Sequence, residues 1–138
     1  MWPFTRSISR NHDQEIGRRG EKQAARYLKS QKYKILARNL HLSVGEVDLL
    51  VRSNEGALVI VEVKSSASAT ADMTPPELHV DHVKQAKLRK LAIAIMKQYH
   101  YDWQTTPLRI DVVGVVFPPQ GKPIIRHHPN AVQFQTYA

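Results

Sequence analysis

Between Asp13 and Gln31 the positions Ile16, Gly20, Ala24, Tyr27 and Leu28 recur every three to four residues, the period of a helix that buries one face. Basic residues fill much of the remainder. The spacing predicts a basic amphipathic helix with Asp13 as N-cap, preceded by a flexible basic tail over residues 1–12. Residues 33–40 (YKILARNL), 45–52 (GEVDLLVR) and 57–64 (ALVIVEVK) read as three strands, the last two forming a hairpin. The small, polar, proline-bearing run 65–78 (SSASATADMTPPEL) reads as a mobile loop. Over residues 80–99, Leu88, Leu91, Ala92, Ile95 and Tyr99 form a second helical stripe, with Lys87, Arg89, Lys90 and Lys97 mostly off it. Residues 108–117 (LRIDVVGVVF) make a strong strand, and PPQGKP leads to a weaker one at 124–126. This order predicts an α/β domain, residues 13–138, with a mixed sheet of about five strands flanked by helices. The second helix is long enough to return the next strand parallel through a right-handed crossover.

Composition narrows the chemistry. Hydrophobic residues are 42% and charged residues 23% of 138, close to globular averages, which sets aside disorder and collagen-like structure. The absence of cysteine removes thiolate zinc sites, iron–sulfur clusters and thiol nucleophiles, so any metal must bind through oxygen or imidazole. No apolar run suits a bilayer and the start lacks a signal-peptide core, so no membrane partner and a cytoplasmic location are expected. The net charge of +8 is unevenly spread: ten basic and three acidic groups in 1–38, two and seven in 39–83, five and none in 84–100. Two basic segments flanking an acidic one suit an enzyme that holds metal ions against phosphates better than a simple basic binding module. Chance clustering on a solvated surface is the alternative.

The acidic block carries the candidate chemistry. Side chains alternate along a strand, so Glu46, Asp48 and Leu50 share one side while Val47, Leu49 and Val51 share the other; Glu62 and Lys64 fall together in the next strand. A three-residue turn, Asn54-Glu55-Gly56, pairs residues whose numbers sum to 110 and sets Asp48 opposite Glu62 and Glu46 opposite Lys64. Two carboxylates about 5 Å apart repel by roughly 3 kcal/mol at an effective dielectric near 20, so a cation should sit between them. Lys64 is one candidate and a hard divalent ion such as Mg²⁺ is the other. In the competing arrangement Lys64 pairs with Glu46 while Asp48 and Glu62 face solvent. Lys84 and Gln85 extend the core-facing stripe of the second helix and are expected to face the sheet, unless the stripe simply runs out at an exposed helix start. Glu21 lies on the apolar stripe of the first helix, where a carboxylate needs a partner: Arg18 or Lys64 as an ion pair, or else a cation or substrate.

GEVDLL, then VEVK after a short hairpin, then VKQAKLRKL, with GEKQAARYL before and RIDVVGV after, resemble the YraN-type family of uncharacterised, predicted endonucleases. That family is similar to archaeal Holliday junction resolvases of the PD-(D/E)xK, restriction-endonuclease-like superfamily. The resemblance spans roughly residues 14–130 and implies a three-layer domain acting as a metal-dependent endonuclease on phosphodiester bonds, with DNA favoured over RNA and branched or repair intermediates as substrates. It implies Asp48, Glu62 and the Val63 carbonyl as ligands of Mg²⁺, with Mn²⁺ as a substitute, and Lys64 as the lysine that orients the nucleophile or neutralises charge. Glu21 and Gln85 take the places of the helix acid and helix polar residue. Arg18, Arg19, Lys22, Lys84, Lys87, Arg89 and Lys90 are candidates for phosphate contacts, and a homodimer is implied by the resolvases. Ser65 and Ser66 stand where relatives of the VEVKTR type carry a basic residue. Asp111 has no implied catalytic role and reads as an ion-pair partner of Arg109 or of the first helix. The alternative function is a non-catalytic nucleic-acid-binding module that retains the fold, and a third reading is a protein-interaction domain. His79 and His82 suggest no third ligand, and no Walker, GxGxxG or GxSxG pattern occurs.

Overall fold

The computed structural model describes residues 2–67 and 80–133, with the side chains of 11–67 and 80–133. Its elements run α1 (Trp2–Ser30), β1 (Lys34–Leu42), β2 (Gly45–Arg52), β3 (Leu58–Ser66), α2 (His82–Gln98), β4 (Leu108–Val116) and β5 (Ile124–His128). The strands form a single mixed sheet in the order β1-β2-β3-β4-β5, with β3 and β4 parallel and the other neighbours antiparallel. The expected α/β class, five strands and parallel return through α2 are therefore present.

One boundary differs. Helix α1 begins at Trp2 rather than at Asp13, so the separate tail expected over 1–12 is replaced, from Trp2 onward, by continuous helix. Residues 2–12 contain no glycine, and their one proline, Pro3, falls in the first turn, where a missing N–H costs no intrahelical bond. The expected loop at 65–78 also starts later, since Ser65 and Ser66 extend β3. Residues 68–79, and with them His79, lie outside the described residues.

Apolar clusters cover both sheet faces. On one, Ile16, Ala24, Ala25 and Leu28 of α1 pack with Leu49, Val51, Val59, Val61, Val113 and Val115. On the other, Leu88, Leu91, Ala92, Ile95 and Met96 of α2 pack with Val47, Leu50, Leu58, Ile60 and Ile110. Asp81 caps α2 by accepting from the Lys84 N–H at 2.8 Å.

The β2–β3 hairpin has the expected register: Leu49, Leu50, Val51 and Arg52 face Val61, Ile60, Val59 and Leu58, with the Ser53 N–H bonded to the Ala57 carbonyl and Gly56 at φ 94°. The ladder stops at Leu49. Asp48 and Glu62 are not a ladder pair, and neither are Glu46 and Lys64. Asn39 of β1, opposite this point, has φ 48°, a left-handed conformation that asparagine tolerates better than most residues. Beyond it the hairpin coils and Val47 joins the α2-side cluster with Leu40 and Leu42 nearby. That corrects the simple alternation, which puts Val47 on one side with Leu49 and Val51.

Candidate active site

Where β2 and β3 part company, their backbones leave a cleft. The Asp48 carboxylate enters it and replaces a missing rung of the ladder, its Oδ2 accepting from the Val63 N–H at 2.9 Å. From β3, Glu62 enters with only 7% of its surface exposed. From α1 comes Glu21, which lies beside Asp48 and within electrostatic reach of Glu46 and Glu62. From the first turn of α2 comes Lys84, its Nζ 3.0 Å from Glu62 Oε1. A cation in the first turn of a helix opposes the dipole, and the ion pair with Glu62 compensates it.

Three acids against one lysine leave the charge poorly balanced. Burial first, then the neighbouring Glu62 and Glu21, push the Asp48 carboxyl up to about 7, against the bond from the Val63 N–H and the charge of Lys84. Glu21 is likewise raised, by burial and then by Glu46, although Asn39 donates to it. Burial and like charge both oppose ionisation of Asp48 and Glu21, so the cleft favours protonated carboxyls where it lacks cations. Among the described residues, no group of three or more His, Cys, Asp or Glu side chains is arranged to ligate a metal ion as the side chains lie here. Glu62 is paired instead with Lys84, and Asp48 with the Val63 amide.

The remaining candidates divide. Lys64, half-buried in the same strand as Glu62, makes no ion pair or hydrogen bond with another described residue; it neither bridges the acids nor pairs with Glu46 or Glu21, and the cation beside the acids is Lys84. Val63 contributes its amide to Asp48. Gln85 does not reach the acids: its Nε2 donates to the Val80 carbonyl at 2.8 Å, and its Oε1 accepts from Arg89 at 3.3 Å. Of the two helix-start residues expected to face the sheet, Lys84 reaches Glu62, whereas Gln85 bonds Val80 and Arg89. Arg89 is held by the Gln133 carbonyl at 3.0 Å, and Arg19 stacks on Phe117 with its guanidinium carbon 4.5 Å from the ring centroid. Arg18 lines a groove with Gln14, Gly17, Glu21 and Asn39. Lys22, Lys87 and Lys90 are exposed, with Lys87 lying over Gly45 at the cleft's α2 side.

Two features lie outside the expected set. Asn39, with its amide turned so that nitrogen faces the acids, donates to Glu21 Oε2 at 2.9 Å and to Glu46 Oε1 at 3.2 Å. The only sequence signal for it was an Asn inside an otherwise apolar and basic strand. Asp111 is wholly buried and accepts from Arg109 Nε and Nη2 (2.8 and 3.0 Å), from the Asn130 N–H (2.9 Å), and contacts His127 Nε2 (2.7 Å). Burial alone would raise it, yet the bonds from His127, Arg109 and Asn130 hold it below the usual carboxylate range. Arg109 also donates to the Tyr33 hydroxyl. This is the structural ion pair expected for Asp111, and it joins β4 and β5 to the start of β1.

The model of an uncharacterised protein family, UPF0102, matches residues 20–115. The chain is 37% identical over 123 residues to a UPF0102 protein of Geobacter metallireducens, covering 88% of this chain and 95% of that one. It is 40% identical to one of Clavibacter michiganensis, covering 82% and 92%. Among solved structures, a chain of a complex described as EndoMS with double-stranded DNA overlaps 74% of this chain and 38% of that one, at 19% identity and a TM-score of 0.38. So low a score lends no weight to the site.

Proposed function

The chain belongs to the uncharacterised protein family UPF0102, and from the geometry of its acidic cleft we propose that it is a metal-dependent endonuclease that hydrolyses phosphodiester bonds in DNA. The observation that carries the reading is the convergence of Asp48, Glu62 and Glu21 from three elements, with burial and the neighbouring Glu62 and Glu21 pushing Asp48 up to about 7. An all-oxygen donor set with excess negative charge fits a hard divalent cation, Mg²⁺ or Mn²⁺. Asp48 and Glu62 would hold it, with the Val63 carbonyl beside them. When bound, the ion supplies Lewis-acid stabilisation of the charge that develops on the scissile phosphate.

The chain's own groups do the rest. Lys64, unpaired within the described residues, is available to orient the attacking water or to meet charge on the phosphoryl oxygens. Lys84 holds Glu62 in place through their ion pair. Arg18, in the groove with Glu21, Lys87, over Gly45, and the exposed Lys22 and Lys90 would contact phosphates, giving a salt-sensitive, sequence-independent affinity. A non-catalytic DNA-binding module draws support from the Lys84–Glu62 pair, which neutralises one acid without a metal. Against it stands the crowding of three carboxylates, which repels phosphate and serves no purpose in binding alone.

The test is incubation of wild type, Asp48→Ala and Lys64→Ala with linear, nicked, flapped and four-way DNA in Mg²⁺ or Mn²⁺. Cleavage by wild type that drops at least about 100-fold in both variants is expected. Equal cleavage by all three overturns the site, and DNA binding without cleavage under every condition favours the binding module.

A further inference from the structure

We infer that Asn39 is a positioning residue of the acidic cleft: its side-chain amide clamps Glu21 and Glu46 together and so fixes where the Glu21 carboxyl stands in the cleft. The inference rests on the nuclease reading for its purpose, though not for its geometry. An asparagine amide has two N–H donors, and here one meets Glu21 Oε2 at 2.9 Å and the other Glu46 Oε1 at 3.2 Å. Both donors are used, so the two carboxylates are tied across the width of one amide group.

The choice of side chain follows from the charge balance. Two carboxylates brought together by a lysine would be partly neutralised by it, and that lysine would compete with any cation entering the cleft. An amide brings them together without adding charge, leaving their negative charge for an incoming ion. The backbone serves the same end. With φ at 48°, Asn39 marks the coil of the β1–β2 hairpin, in register opposite Asp48 between the pairs Arg38↔Leu49 and Leu40↔Val47. Glycine adopts this φ freely and asparagine tolerates it. A Gly substitution therefore separates the two tasks, keeping the coil and removing the clamp.

Three measurements on the full chain test this. First, in the metal-free protein the Asn39 side-chain amide should give a displaced pair of ¹H–¹⁵N resonances that shift in both Glu21→Gln and Glu46→Gln; resonances at ordinary positions that ignore both changes overturn the clamp, whatever the cleft does. Second, Asn39→Gly should melt close to wild type yet lose roughly tenfold or more in Mn²⁺ affinity by isothermal titration, the size expected for removing a group that orients a ligand. Third, Asn39→Gly added to Glu21→Gln should cost nothing further in Mn²⁺ affinity, because the clamp acts through Glu21.

Wild-type affinity in Asn39→Gly, or additive losses in the double variant, overturns the inference while leaving the cleft as a metal site. If wild type and Asp48→Ala take up Mn²⁺ equally, the nuclease reading fails and takes the purpose of the clamp with it; the amide resonances then still decide its geometry.

Discussion

Burial and two neighbouring carboxyls oppose the charge of Asp48, while the Val63 amide and Lys84 favour it less strongly. The Asp48 carboxyl is held near 7, against an ordinary value of 3.8, so between those values the folded chain binds more protons than the unfolded one. The sign of the linkage follows: without metal, this group's contribution to stability is fully present below about pH 4 and is lost as pH rises through about 7. Glu21, raised for similar reasons, adds to the same trend. In EDTA at pH 8, Asp48→Asn should therefore melt higher than wild type, by roughly 4 °C for each kcal/mol recovered, with a flatter dependence on pH. A lower melting temperature at pH 8 contradicts the strain assigned to Asp48. The aspartate and glutamate were legible in the sequence because alternation and a glycine turn fix which residues a hairpin brings near. The cation was not: Lys64 shares a strand with Glu62, but the reach of Lys84 depends on how the start of α2 lies over the sheet.

The elements that carry these residues meet at a close contact between α1 and β3. A Cβ at Gly20 would collide with the Ser65 side chain and touch Val115, so the helix lies on the strand only because position 20 has no side chain. Glu21 is the next residue, which couples the packing of α1 to the cleft. Gly20→Ala should lower the urea midpoint by the equivalent of about 1–3 kcal/mol and weaken Mn²⁺ binding, and Ser65→Gly in the same chain should restore much of both. Unchanged stability in Gly20→Ala contradicts the contact. Ser65 Oγ is buried against α1 and makes no hydrogen bond within the described residues. The helical period around Gly20 was readable in advance. The end of the β2–β3 ladder at Leu49 and the reversal of faces at Asn39 were not, since a strand's sequence shows which side chains alternate but not where the sheet coils.

At the scale of the whole molecule, each basic helix reaches the acidic cleft: α1 brings Arg18 into a groove with Glu21, α2 brings Lys84 to Glu62 and Lys87 over Gly45, and the acidic central run supplies the strands between them. The alternation of charge along the chain was thus a projection of a layered structure with one helix on each face of the sheet. The Asp111 network lies apart from this, binding β5 and the start of β1 to β4; its ion pair was expected from Arg109, two residues away, while His127 and Tyr33 join it only through tertiary packing. Among the described residues no helix is long and apolar enough to cross a membrane.

The most direct measurement is isothermal titration of Mn²⁺ into the full chain at pH 7.5, for wild type and for Asp48→Ala. Saturable uptake by wild type that releases protons, and is lost in the variant, is the result predicted by a cleft whose carboxyls hold protons in place of a cation. Identical heats from the two proteins, or none from either, would contradict it.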